Sequence, residues 1–197
     1  MSPKTEEQNE EIKQKRRIDI INAGLGIFAR RGYHAVKMSD IAAEAGISQG
    51  LTYHYFKSKE ELFVELVETA YQASSALFNM IEEMPGSPRD KLDSLAMGIS
   101  QNGFSEESLP YFQLIWQALT IDPAPDKVKK MNEKLIAGYF RILNDIVSEA
   151  EIDDPEGTVN AFMSMIIGYS VAAQSSPFKS VPNPGTLGRL FLGGVRK

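Results

Sequence analysis

The chain has 197 residues, 43% hydrophobic and 24% charged, with a formal net charge of −5, an ordinary composition for a soluble globular protein of one domain or two small ones. It contains no cysteine, which excludes disulfides, thiolate metal sites and cysteine nucleophiles. No window approaches about 18 uninterrupted apolar residues and the first eleven residues are polar and acidic, so neither a membrane span nor a signal peptide is predicted and a cytoplasmic location is expected.

Residues 1–11 read as a disordered tail. Residues 12–31 place Ile18, Ile21, Ala23, Leu25, Phe28 and Ala29 among charges in a helical pattern. Gly32 ends that helix, with Arg30 and Arg31 in its last turn, where the helix dipole favours cations. Gly24 and Gly26 sit inside it, each at a cost of about 1 kcal/mol of helix propensity relative to Ala.

Residues 38–62 are the most informative stretch. Ser39 can cap a short helix that carries Ile41, Ala42 and Ala45 on one side, because its hydroxyl can accept an orphan backbone N–H. Gly46 supplies a tight turn, since a left-handed residue there costs little without a β-carbon. Ile47 returns to the core and Ser48 caps a second short helix. That helix is expected to expose Gln49, Thr52, Tyr53 and His54 and to turn Leu51, Tyr55 and Phe56 inward. A helix–glycine turn–helix of this kind can lay its second member in the major groove of DNA. Ser58-x-x-Glu61 then has capping-box spacing at the head of a long helix, 59–84, closed by Pro85-Gly86-Ser87-Pro88.

Charge distribution agrees with a nucleic-acid partner where net charge does not. Residues 12–59 hold nine Lys/Arg against three Asp/Glu, a local charge of +6, whereas residues 61–197 sum to −7. Only the docking face needs to be positive to attract phosphates.

The stretch also resembles the signature of the TetR (tetracycline-repressor) family of bacterial transcription regulators. The match begins upstream at Ile20, Ala23, Phe28, Gly32 and Tyr33, ends with Phe56-Lys57-Ser58-Lys59-Glu60-Glu61-Leu62, and covers roughly residues 15–65. Ser39 stands where the family more often has Thr, and Thr52 where it more often has an apolar residue. The resemblance implies a homodimer whose paired second helices read an inverted-repeat operator in double-stranded DNA. It places base-edge contacts on Gln49, Gly50, Thr52, Tyr53 and His54, and backbone-holding contacts on Ser39 and Lys59. Arg16, Arg17 and Lys37 are further phosphate-contact candidates.

The remainder reads as helices near 89–101, 110–121, 126–150 and 155–176, a loop at 178–184 and a short final helix at 186–195, with no strand pattern. The fold class is therefore all-α: a helix-turn-helix domain at 12–60 joined through the long helix to a ligand-binding and dimerisation domain at 61–197. In the uncharged run 159–173, Asn160, Ser164, Gly168 and Ala172 recur every four residues, a small-side-chain ridge that lets another helix approach closely. That ridge and the closing segment with Leu190 and Phe191, which is similar to the family's last dimerisation helix, are the candidate dimer interface. The resemblance also implies a small-molecule cavity in this domain. Met97, Phe104, Tyr111, Phe112, Trp116, Tyr139 and Phe162 are the candidate lining, which points to an apolar or aromatic inducer that releases a repressor from its operator.

Two rivals remain. An enzyme is disfavoured because the chain lacks a G-x-S-x-G elbow, a P-loop, an H-E-x-x-H helix and a dinucleotide-binding glycine fingerprint. With two histidines no multi-histidine metal site can form, and no cofactor is implied. The alternative is a helical small-molecule-binding or adaptor protein that does not bind DNA.

Overall fold

In a computed structural model of the protein, residues 6–102, 107–149 and 154–172 are described. Among them there are eight helices and no strand: α1 (Glu6–Arg31), α2 (Met38–Glu44), α3 (Gln49–Tyr55), α4 (Lys59–Glu83), α5 (Pro88–Asn102), α6 (Leu109–Thr120), α7 (Asp126–Glu149) and α8 (Pro155–Ala172). No described helix is long and apolar enough to cross a membrane. The chain divides into two compact units between Val67 and Glu68, within α4.

In the N-terminal unit, Ile20, Ala23, Gly24, Ile27 and Phe28 recur at helical spacing and form the buried face of α1. Gly24 has a packing reason. A β-carbon there would stand 2.7 Å from Cδ2 of Leu62, which is itself fully buried, so the missing side chain is what lets α1 and α4 approach. Gly32 and Gly46 close α1 and α2 with φ of +77° and +65°, the left-handed region that favours glycine. After Gly46, the Ile47 amide donates to the Ala42 carbonyl at 3.0 Å, which satisfies an end group of α2 and sets the turn into α3.

Helix α1 starts at Glu6, six residues ahead of the predicted start. Glu6 and Glu7 complement the dipole of its first turn, and Glu10 accepts from Lys13 at 3.4 Å and from Gln14 at 3.2 Å, local pairs that support a helix without any core contact. Helix α2 likewise begins two residues early: Lys37 is its N-cap, and Asp40 reaches back to accept from the Lys37 amide at 2.9 Å, so Ser39 lies inside the first turn and does not cap it. Ser58 does cap α4, accepting from the Glu61 amide at 3.0 Å. Glu61 in return accepts from the Lys57 amide at 2.6 Å, one residue before the partner expected for a capping box.

The C-terminal unit is organised on α7, whose Val128, Leu135, Tyr139, Ile142, Leu143, Ile146 and Val147 are buried. Phe78 and Ile81 of α4, Leu92 and Leu95 of α5, Leu114 and Ala118 of α6, and Val159 and Phe162 of α8 are buried with them in this unit, and Phe78 stacks on Tyr139. Asn132 ties three helices: its Oδ1 accepts from the Tyr71 hydroxyl of α4, and its Nδ2 donates to the Ala118 carbonyl of α6 at 2.7 Å. Arg141 clamps Glu82 with two bonds of 2.5 and 3.1 Å. The predicted loop at 178–184 and final helix at 186–195 lie outside the described residues.

Candidate nucleic-acid interface

Helix α3 is anchored by its own sequence. The Ser48 hydroxyl accepts from the Leu51 amide at 3.2 Å, as an N-cap should. Thr52 (0% exposed) and Phe56 (1%) lie four residues apart, share one helix face and are sunk into the N-terminal unit. Gln49, Gly50, Tyr53 and His54 are thereby turned to solvent, Tyr53 with 45% of its surface open. His54 rests edge-on against the Tyr55 ring at 5.5 Å, and Tyr55 is half-buried. Donors and acceptors on Gln49, Tyr53 and His54, with a side-chain-free Gly50 between them, are what a helix entering the major groove presents to base edges and phosphates.

Thr52 must be corrected. It is buried, and its hydroxyl donates back to the Ser48 carbonyl at 3.3 Å, so it cannot touch a base as expected. Leu51, expected to face inward, is 36% exposed and takes the outward position instead. Thr52→Val should therefore leave operator affinity within about twofold, while an equilibrium unfolding titration shows a stability change of about 1 kcal/mol or less. The Ser48 carbonyl keeps its backbone partner, the Thr52 amide at 3.1 Å, so the lost hydroxyl orphans nothing.

The flanking cations fall into two groups. Lys37 and Lys57 are exposed beside α2 and α3, and Ser39 is exposed in the first turn of α2. Arg17 is committed elsewhere: its guanidinium pairs with Glu65 at 2.6 Å and sits 5.0 Å over the Phe56 ring, bracing α1 against α3 and α4 rather than reaching outward as a phosphate contact. Arg16 is exposed, 3.9 Å from Asp19. Arg30 pairs with Glu44 at 2.8 Å and Arg31 approaches Asp40 at 3.9 Å. These exposed pairs are individually weak and can exchange a carboxylate for a phosphate.

Lys59 has a dual position. Its ammonium donates to the Tyr33 carbonyl at 2.9 Å and lies 4.3 Å over the Tyr33 ring. Partial burial lowers its pKa from the ordinary lysine value, and burial followed by the nearby Glu60 charge raises that of Tyr33. Lys59 thus fastens the head of α4 to the segment before α2, a positioning contact that its sequence context did not announce.

The candidate effector residues are more scattered. Tyr139 and Phe162 are buried, Tyr111, Phe112 and Trp116 are half-buried, Met97 is 44% exposed, and Phe104 lies outside the described residues. A cleft of about 550 Å³ opens between α4 and α7; Tyr71, Phe78, Met131, Leu135 and Tyr139 line it together with polar and charged groups such as Glu68, Gln72, Asn79, Lys134 and Arg141. Of the seven predicted residues only Tyr139 contributes to it. The Tyr139 ring stacks on Phe78 at 3.9 Å, its hydroxyl donates to Ser74, and burial pushes its pKa up to about 12. On α8, Asn160, Ser164 and Gly168 are exposed in the single chain, while the Ala172 side chain, Leu190 and Phe191 lie outside the described residues.

Comparison with known proteins bears on the same segment. Residues 20–66 match the family model described as bacterial regulatory proteins, tetR family. The fatty acid metabolism regulator protein of Bacillus subtilis (strain 168) is 29% identical over 143 residues, 70% of each chain. The HTH-type transcriptional repressor KstR2 of Mycolicibacterium smegmatis is 34% identical over 97 residues, 49% of this chain and 45% of that relative. Among solved structures, the MbdR regulator from Azoarcus sp. CIB superposes with a TM-score of 0.76 at 18% identity, covering 92% of this chain and 100% of that one. The transcriptional regulator FadR from Bacillus subtilis in complex with stearoyl-CoA gives 0.67 at 21% identity, covering 91% and 99%. The motif, the all-helical fold and these likenesses agree: residues 20–66 carry a helix-turn-helix domain of the tetR type, and the chain is similar to bacterial helix-turn-helix transcriptional regulators.

Proposed function

We propose that this chain is a homodimeric repressor that holds an inverted-repeat operator through two copies of α3 and is released by a small, largely apolar ligand bound in the C-terminal unit. The observation that carries the reading is the polarity of α3: Thr52 and Phe56 root it in the core, while Gln49, Tyr53 and His54 stand outward around Gly50 on a basic module. An adaptor without DNA binding has no use for that arrangement. Dimerisation is assigned to the exposed Asn160–Ser164–Gly168 ridge of α8, where a β-carbon on Gly168 would meet nothing within 4 Å in the single chain.

The effector scheme is population shift. A ligand that favours a wider separation of the two DNA modules lowers operator affinity by its preference for that state, and α4, which runs through both units, is the connecting element. The α4–α7 cleft is the first place to look for the ligand, since its volume and its mixture of apolar and polar lining groups suit a small-molecule site. Long-chain acyl thioesters, whose acyl chain is the apolar part, are the first class to test, because a Bacillus subtilis relative is a fatty acid metabolism regulator and a solved neighbour holds stearoyl-CoA.

The experiment is selection of duplexes from a random-sequence pool by the purified full chain. Enrichment of one inverted repeat is expected, with half-sites about 34 Å or a multiple apart and an affinity that falls steeply with salt. Stearoyl-CoA is expected to release the selected duplex. Failure to enrich any duplex overturns the regulator mechanism, whereas enrichment without release overturns only the acyl-thioester assignment.

A further inference from the structure

We propose that Leu51 is a base-reading residue that recognises the C5-methyl group of a thymine, so that each operator half-site carries a thymine at a position set by Leu51. The inference rests on α3 entering the major groove. At 100° per residue, Thr52 and Phe56 define the inner face of α3, which puts Gly50 and His54 at the centre of the outer face. Tyr53 flanks that centre on one side and Leu51 on the other, while Gln49, exposed in the first turn, lies further round beyond Tyr53. Every other outward side chain carries a hydrogen-bonding group, while Leu51 carries none.

A leucine cannot tell bases apart by donors or acceptors. The one feature of a major-groove edge that suits it is the thymine methyl, which adenine, guanine and cytosine lack. Reach is the remaining question, because leucine is shorter than Gln49 or Tyr53. Gly50 answers it: a β-carbon at that position would meet nothing within 4 Å, so the middle of the outer face is bare backbone that can come close to the bases and bring its short neighbour into contact. Burying the isobutyl group against a methyl removes apolar surface on both partners from water.

Uracil substitution isolates the methyl group, since uracil differs from thymine by nothing else. In the duplex selected by the full chain, each thymine is replaced by uracil in turn, symmetrically in both half-sites, and binding is measured for the wild type, Leu51→Ala and Leu51→Met. One thymine position should weaken wild-type binding by about fourfold per half-site, the value of one buried methyl, with other positions unaffected. Leu51→Ala should bind the thymine and uracil duplexes equally, and Leu51→Met, still apolar, should keep the discrimination. Wild-type protein that ignores every uracil, or a Leu51→Ala variant that keeps the wild-type ratio, overturns the proposal. A chain that selects no duplex at all fails at the earlier step, before any thymine is tested.

Discussion

Tyr53→Ala is expected to lower operator affinity by about 30- to 150-fold while leaving the fold intact. Tyr53 is 45% exposed, and removal of its ring opens no cavity, so the melting temperature and far-UV circular dichroism should match the wild type. A contact of the α3 type is worth about 1–3 kcal/mol in a protein–DNA complex, and a two-fold dimer makes it twice, so even the low end of that range compounds to more than an order of magnitude. A mobility-shift series at several salt concentrations separates the two roles open to the phenol. Loss of a phosphate contact weakens all duplexes alike and flattens the salt slope, whereas loss of a base contact weakens the selected operator more than random DNA. An unchanged affinity at every salt concentration removes Tyr53 from the interface.

Why the second helix was readable, and where its reading slipped, follows from helix periodicity. Ser48, Gly46 and Phe56 carry strong local signals: a cap, a left-handed turn and a large apolar side chain. Residue polarity suggested that Thr52 faces out and Leu51 in. Geometry requires the reverse, because residues 52 and 56 are one turn apart and a buried Phe56 forces its i−4 neighbour to the same face. Threonine tolerates the position because its hydroxyl is satisfied by its own helix, at the Ser48 carbonyl. The spacing therefore held the answer that composition obscured. The helices of the C-terminal unit were similarly legible, since proline or glycine breaks separate most of them in the sequence. Two features were not. The early start of α1 depends on charge pairs such as Glu10 with Lys13, which carry no apolar period. The α4–α7 cleft depends on which residues of α4 and α7 face each other, a long-range pairing that no local pattern encodes.

Phe28→Ala is expected to remove about 3–5 kcal/mol from the N-terminal unit and to abolish operator binding by unfolding rather than by loss of contact. Phe28 is fully buried, meets the Phe63 ring edge-on at 5.2 Å and stacks near Tyr33 at 6.0 Å, while Tyr33 and Phe63 are themselves 4.6 Å apart. This three-ring cluster joins the end of α1 to the head of α4, and Lys59 caps it by bonding to the Tyr33 carbonyl. The segment that leads into α2 is thereby fixed, and with it the placement of α3. A unit of 67 residues has a stability of only several kcal/mol, so the loss consumes most of it. The C-terminal unit has its own apolar interior around α7, and its unfolding should not follow. Thermal melting of the variant is expected to separate into two steps. Limited trypsin digestion should cut among residues 1–67 well before 68–149. A single transition displaced by less than about 1 kcal/mol would mean that the ring cluster is not what holds the DNA-binding unit together, and the support for α3 would then have to be sought in the Arg17–Glu65 bridge over Phe56.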